Sequence, residues 1–426
     1  MALKETLRFA GDVAIEKAMI TSSSGLGQDI TNQIKGIQIF EDLLSPFITG
    51  TLVLKDSLDL VNLFPFVGEE YLELKLKTPT LDKGNISGKY YIYKMSDRQY
   101  VGDKAVAYQL HFINQNALID MNKTLSRTYG GKISDIVKQL FTDKASGLQL
   151  KQGQYVIEET QNSTKYTSNF WSPVKNLLYL TEAAINIDKS PSYTLFENRD
   201  GINFVSLTYL YKQPAIQEFV YDNYTRDNRN LGGSVKNLEE DYKRIATITV
   251  PSGIDYLDRI TSGIYGSVQY SHDLLSKKIE SKNFDMMQSF KNKPHLNEFP
   301  AASAKAVYRY GSRTMFSPKY FNNFSNYGDV TNTNTIQERT SLLKQAESTK
   351  LEITIPGRMD YTVGKKVYLK LNKVEPISKK DKDTVDKMFS GNYLISAVNH
   401  FITREKHECT LELIKDSLMI NLDGKK

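Results

Sequence analysis

The residues with the widest chemical repertoire here are five histidines, His111, His272, His295, His400 and His407, and one cysteine, Cys409. His400 and His407, with Glu405 and Glu408 close by, have the donor types of a metal site. Their spacing argues against one. Three ligands need a shared face, and strand alternation puts His407 and Glu408 on opposite faces. Both histidines are therefore expected to be hairpin residues facing water. Cys409 falls in a return strand where a small buried residue is expected. Acidic pairs stand at Glu69-Glu70, Glu158-Glu159 and Glu239-Glu240-Asp241. Glycoside hydrolysis needs two carboxyls at a set separation across a cleft, which neighbours in sequence do not supply. No HExxH, no Gly-rich phosphate loop and no GxSxG elbow occurs. The reading is a non-enzyme with no catalytic, cofactor-binding or metal-ligating residues and no cofactor.

The elements that carry these residues are mostly strands, and one arrangement of them is written twice. Val67-Gly68-Glu69-Glu70 leads into Tyr71-Leu72-Glu73-Leu74-Lys75-Leu76, then Ser87-Gly88-Lys89-Tyr90-Tyr91-Ile92. Val363-Gly364-Lys365-Lys366 leads into Val367-Tyr368-Leu369-Lys370-Leu371, then Ser390-Gly391-Asn392-Tyr393-Leu394-Ile395. Return strands follow at 106–112 and 408–414. Leu72, Leu74 and Leu76 alternate with charged residues, so one face is apolar and the other wet. Leu351, Ile353 and Ile355 alternate in the same way. Half-buried antiparallel strands of this kind curl into barrels or sandwiches. Two such units per chain would let a homotrimer present six similar faces in a ring.

Between the copies the pattern is α+β. Ile133, Ile136, Val137 and Leu140 share one helical face. Ser172-Pro173 is a helix start, with Trp171 packed before it and the helix running to about Asn186. Tyr193–Phe196 and Ile202–Tyr209 flank a turn at Asn198–Gly201 and predict a hairpin. Asp56 and Ser57 predict the cap of a short helix that Pro65 stops. Asp255–Tyr265 is expected to carry a strand onward, and Gln337–Thr349 is an amphipathic helix. The fold class is β-rich α+β. The division is 1–118 first barrel, 119–234 middle domain, 235–275 start of the second barrel, 276–336 surface or subunit-contact insert, and 337–426 the remainder.

Composition bounds the rest. The 426 residues suffice for two to four domains, and 24% are charged. One cysteine excludes an intrachain disulfide framework and points to folding in a reducing cytoplasm. No secretory h-region opens the sequence, and no window approaches the ~18 apolar residues of a membrane span. A net charge of +6 does not argue for nucleic-acid binding. The clusters Lys277-Lys278, Lys379-Lys380 and Lys425-Lys426 read as solvated loops.

The run Gly36-Ile37-Gln38-Ile39-Phe40-Glu41-Asp42, then Ser45-Pro46-Phe47-Ile48-Thr49-Gly50, resembles the opening of baseplate central hub proteins of contractile-tailed phages. Lys55-Asp56-Ser57, Pro65, Val67-Gly68-Glu69-Glu70 and the strand ending at Thr78-Pro79 extend the resemblance. Gly131-Lys132-Ile133, Trp171, Pro356-Gly357 and the Val363 copy fit it more loosely. It implies two tube-type split β-barrels per chain and a trimeric torus of pseudo-sixfold symmetry. It implies partners too: tail tube or tube-initiator proteins on one face and a threefold spike on the other. DNA would pass through the lumen without specific contacts. The place implied is the virion tail baseplate, assembled in the bacterial host. The related type VI secretion spike proteins fuse hub and needle, whereas here the spike, with any lytic domain, is expected on a separate chain. The rival expectations are a β-rich virion glycan hydrolase and a glycan-binding attachment module.

Overall fold

The computed structural model describes residues 7–63, 66–81, 85–221, 238–252, 255–273, 277–303, 313–319, 335–373 and 384–424. The helix stop at Pro65, the clusters Lys379-Lys380 and Lys425-Lys426 and much of 276–336 lie outside them.

The first part of the chain is β1 (Ala14–Thr21), β2 (Gly27–Asp29), β3 (Ile34–Asp42), β4 (Thr49–Asp56), α1 (Leu60–Leu63), β5 (Tyr71–Lys77), β6 (Ile86–Tyr100) and β7 (Val106–Asn114). Alternation places the elements as expected: Leu72, Leu74 and Leu76 are buried. Glu73 and Lys75 pair instead with Lys17 and Glu16 of β1 on the wet face. Asp56 caps α1, its carboxylate accepting from Leu58 N at 2.9 Å and Leu60 N at 2.8 Å.

The middle part is α2 (Gln115–Met121), β8 (Thr128–Lys132), α3 (Ile133–Thr142), β9 (Tyr155–Ile157), β10 (Ser163–Thr167), α4 (Pro173–Ala183), β11 (Tyr193–Asn198), β12 (Gly201–Ser206), α5 (Leu207–Tyr211) and β13 (Ala215–Tyr221). Ser172 caps α4, and Trp171 packs against Tyr179 at 5.3 Å. The strand expected over Ile202–Tyr209 stops at Ser206. Its hydroxyl accepts from Tyr209 N at 3.1 Å and starts α5 instead.

The last part is α6 (Leu238–Lys243), β14 (Thr247–Ser252), α7 (Tyr256–Thr261), β15 (Gly266–Asp273), β16 (Lys278–Asp285), α8 (Met286–Phe290), β17 (Phe299–Pro300), β18 (Thr314–Lys319), α9 (Ile336–Ala346), β19 (Thr349–Pro356), β20 (Lys366–Leu371), β21 (Gly391–Ile402), β22 (His407–Lys415) and β23 (Ser417–Leu418). The strand expected over Asp255–Tyr265 is helix α7, because the Asp255 carboxylate accepts from Asp258 N at 2.9 Å and caps a turn. β15, β16 and β18 form a sheet of their own.

The arrangement read twice in the sequence is also built twice. The order β3-β4-β7-β6-β5 recurs as β14-β19-β22-β21-β20, antiparallel at every step. One irregularity is shared, while a second in β6, between Ser96 and Gln99, has no counterpart in β21. β6 bulges between Ile92 and Lys94 against β7, and β21 bulges between Ile395 and Ala397 against β22. A bulge bends its strand, so shared bulges mean shared curvature. The outer neighbours differ: β1 pairs antiparallel to β5, while β13 pairs parallel to β20. The halves join through β3 and β21, giving one 13-stranded sheet.

Each half buries its own apolar cluster. Ile37, Leu52, Leu74, Leu110 and Phe112 lie in the first, and Leu351, Leu369, Tyr393 and Leu411 in the second. A third, around α3, α4 and β11–β12, belongs to the middle part. Gly50 sits where β4 crosses the first core. An added Cβ would stand 2.2 Å from the Phe112 ring and 2.5 Å from the Gln38 carbonyl oxygen. Gly50→Ala is expected to destabilise the chain by about 1–3 kcal/mol in chemical denaturation. An unchanged midpoint would mean that the β3–β4–β7 contact is looser than described.

Candidate functional site

The polar centre of the molecule lies where its three parts meet, and a tight turn delivers it. β11 and β12 are joined through Arg199 and Asp200. Gly201 closes the turn at φ +109°, and a side chain there would meet the Gln154 carbonyl at 2.0 Å. Asn198 fixes the turn internally, its Oδ1 accepting from Asp200 N and Asn203 Nδ2, each at 2.9 Å. Its Nδ2 reaches across to the Val363 carbonyl at 3.0 Å. The turn therefore presents Arg199 to the seam between β3 and β21.

There Arg199 Nε lies 3.7 Å from Oε1 of Glu41 on β3, both side chains deeply buried. Glu41 Oε2 accepts from the Thr362 hydroxyl and, at 3.1 Å, from Val363 N. Burial pushes the carboxyl up and the guanidinium down from their ordinary ranges, and each is held back by the other's charge. Arginine keeps its proton at any ordinary pH, and its charge favours the ionised form of Glu41. Three distant segments thus share one buried pair: β3, the β11–β12 turn and the Thr362-Val363 approach to β20.

His400 and His407 are wholly buried, not exposed to water as the sequence suggested. His400 of β21 is covered where β3 pairs with that strand, opposite Ile39, and His407 of β22 is closed over by Gly11 and Gly357, each hydrogen-bonded to its backbone at 2.8 Å. Arg199 Nη2 donates to His400 Nε2 at 2.8 Å, and the Tyr361 carbonyl oxygen stands 3.1 Å from the same nitrogen. His400 Nδ1 faces His407 Nε2 at 3.0 Å and Cys409 Sγ at 3.1 Å. Burial and the Arg199 charge hold His407 down to about 3 and His400 well below its usual value. Burial pushes the Cys409 thiol up to about 12. All three are neutral.

The three donor atoms lie within 4.8 Å of one another, close enough to ask about a metal. Arg199 opposes a metal here: its guanidinium stands 2.8 Å from His400 Nε2, and a bound cation would be set close to it.

Beside it a polar cavity of about 370 Å³ is lined by Ile39, Glu41, Tyr90, Glu197 and Arg199, among others. Glu197 of β11 accepts from Ile48 N at 2.8 Å and from Asn114 Nδ2 at 2.6 Å. Burial raises its carboxyl to about 8 against those donors. Sequence reasoning missed Glu41, Glu197 and Arg199. Only the Asn198–Gly201 turn was visible, and nothing in it marks Arg199 as inward.

The acidic pairs are structural. Glu70 accepts from Val67 N at 2.9 Å and Gly68 N at 3.0 Å, closing the Val-Gly turn. Glu158 accepts from Asn186 Nδ2 and Ser206 N at 2.9 and 2.7 Å, while Glu159 pairs with Lys132 on the surface. Glu239 and Asp241 pair with Lys243 and Arg244 around α6.

The fold is that of phage tail proteins. The 43 kDa tail protein of prophage MuSo2 from Shewanella oneidensis matches with a TM-score of 0.55 at 8% identity, over 94% of this chain and 99% of that one. A tail protein from Neisseria meningitidis MC58 matches with a TM-score of 0.53 at 12% identity, over 94% and 96%. No family model matches the chain. The probable baseplate hub protein gp334 of Vibrio phage KVP40 is 21% identical over 410 residues, 91% of each chain. The resemblance to baseplate hub proteins seen around residues 36–79 is thus borne out along nearly the whole length.

Two outcomes test the site. Arg199→Met or Glu41→Gln alone leaves one buried group without its partner and should destabilise by about 3–5 kcal/mol. The double variant should recover most of that, and strictly additive losses would show that the pair is uncoupled. The folded chain binds the Glu197 proton more tightly than the unfolded chain does. This stabilisation is complete below the ordinary carboxylate range and is lost as pH rises through about 8. Glu197→Gln should flatten the fall in Tm across that window. An identical profile in the variant would show that Glu197 is ionised in the fold.

Proposed function

We propose that this chain is a structural baseplate hub of a phage tail, acting as a homotrimeric ring that joins a sixfold tail tube to a threefold spike. The observation that carries the reading is the five-strand order built twice, with one bulge in common. Three chains then offer six similar sheets to a sixfold neighbour. The parts that are not repeated, above all the middle part and the sheet of β15, β16 and β18, are offered three times and suit a threefold neighbour. The 21% identity to a probable baseplate hub protein supports the same assignment.

In this reading each repeat curls into a split barrel, and the domains follow the division given from the sequence. The described part of the insert, 277–303 and 313–319, is a surface excursion or a contact between subunits. The spike is a separate chain. The ring encloses the passage for DNA, which must slide, so tight phosphate binding would be a handicap. Glu41, Glu70, Glu158 and Glu197 are each tied to backbone donors, as fits a structural use of these acids.

The test is the mass of the purified chain by light scattering with class-averaged electron microscopy, alone and with the co-expressed spike protein. Rings of three chains with six lobes and an open centre are expected, at least in the presence of the spike. Monomers under both conditions, or glycan cleavage by the isolated chain, would overturn the reading.

A further inference from the structure

The seam that joins the two repeats inside one chain leaves two strand edges without a counterpart. β21 is long. Its first half pairs with β20, and its second half with β3, where Ala397, Asn399, Phe401 and Ile402 stand opposite Asp42, Phe40, Gln38 and Ile37. In the first repeat β6 takes the place of β21, and in the second β14 takes the place of β3. β6 pairs with β5 through its first half. Among the described residues no strand covers its second half on that side, and none covers the outer edge of β14.

Burial registers the difference. In β21, Val398, His400 and Ile402 are at most 2% exposed. In β6, Tyr93, Met95 and Tyr100 are 53%, 37% and 80% exposed. β14 reads Thr247-Ile248-Thr249-Val250 without a charge, and Val250 is 46% exposed. β14 carries no lysine or inward charge of the kind that blunts a free edge, although Pro251 and a register break between Thr249 and Ser252 limit its length; the second half of β6 carries Lys94, Asp97, Arg98 and the bulge between Ser96 and Gln99. Pro251, which has no N–H to donate, ends the run open to pairing.

We propose that β14 of one subunit pairs antiparallel with the second half of β6 of the next, repeating between chains the β3–β21 seam found within each. The repeat supplies the register. Gln99 lies opposite Ala107 as Phe401 lies opposite Glu408, and Tyr100 opposite Val106 as Ile402 opposite His407. Ile248 and Thr249 face Ile353 and Glu352 of β19 as Ile37 and Gln38 face Leu52 and Thr51 of β4. Phe401–Gln38 and Ile402–Ile37 therefore become Gln99–Thr249 and Tyr100–Ile248 between subunits. Each chain carries one edge of each kind, so the contact is head-to-tail and continues until a ring closes. The pairing follows from the repeat; closure at three chains rests on the hub reading above.

Cysteine pairs test the register, since Cys409 is wholly buried and does not compete. Full-length chains carrying Gln99→Cys with Thr249→Cys, or Tyr100→Cys with Ile248→Cys, are oxidised mildly at the highest attainable concentration. At least one pair should give covalent dimers and closed oligomers. The off-register pair Met95→Cys with Ile248→Cys should not. Gln99→Glu with Thr249→Glu should weaken association roughly 1.5- to 5-fold per seam, and Gln99→Lys with Thr249→Glu should restore it. Circular dichroism confirms that each variant is folded. Rings that form by mass while neither on-register pair cross-links would overturn the strand pairing and leave the hub reading standing. Chains that stay monomeric and unlinked throughout would overturn both.

Discussion

A buried ion pair holds the parts of this molecule in place. Taking Arg199 and Glu41 out of water is expensive, and the attraction between them repays it only in good geometry with the remaining donors and acceptors filled. Thr362 and Val363 donate to Glu41 and His400 accepts from Arg199 Nη2, and all three come from the second half of the chain. Glu41 comes from the first half and Arg199 from the middle. A chain that misplaced any of the three would leave a charge unpaired in a dry interior. The pair thus contributes more to specifying how the parts meet than to their net stability.

The seam built around that pair explains how one sheet can serve two repeats. β3 closes the open half of β21, and His400, His407 and Cys409 fill the space beneath as neutral groups. The corresponding half of β6 lacks this cover and stays exposed. The repeats are equal in strand order and unequal in surroundings, the condition in which a chain completes itself on another copy.

Much of the fold was legible because it rests on period-two alternation and turn chemistry. The strands at 71–77, 349–356 and 366–371, the Ser172 cap and the Val-Gly turns follow from rules that act over a few residues. The two errors of element type came from capping: Asp255 and Ser206 each start a helix where apolar content suggested strand. The site was not legible. His400 and His407 sit on a hairpin that alternation alone leaves half wet. Their burial depends on β3, Gly11 and Gly357, and the role of Arg199 on a turn, all far away in sequence. No local pattern encodes such contacts. The resemblance to hub proteins was readable from the motif order around residues 36–79, and the relative that matches is 21% identical over 410 residues.

The most direct test of the account is a reconstruction of the assembled particle by electron cryomicroscopy at a resolution that separates strands. The account predicts a central hole lined alternately by the β3-β4-β7-β6-β5 sheet and the β14-β19-β22-β21-β20 sheet, with all six seams alike. A hole lined by one repeat alone, or an assembly without a hole, would contradict it.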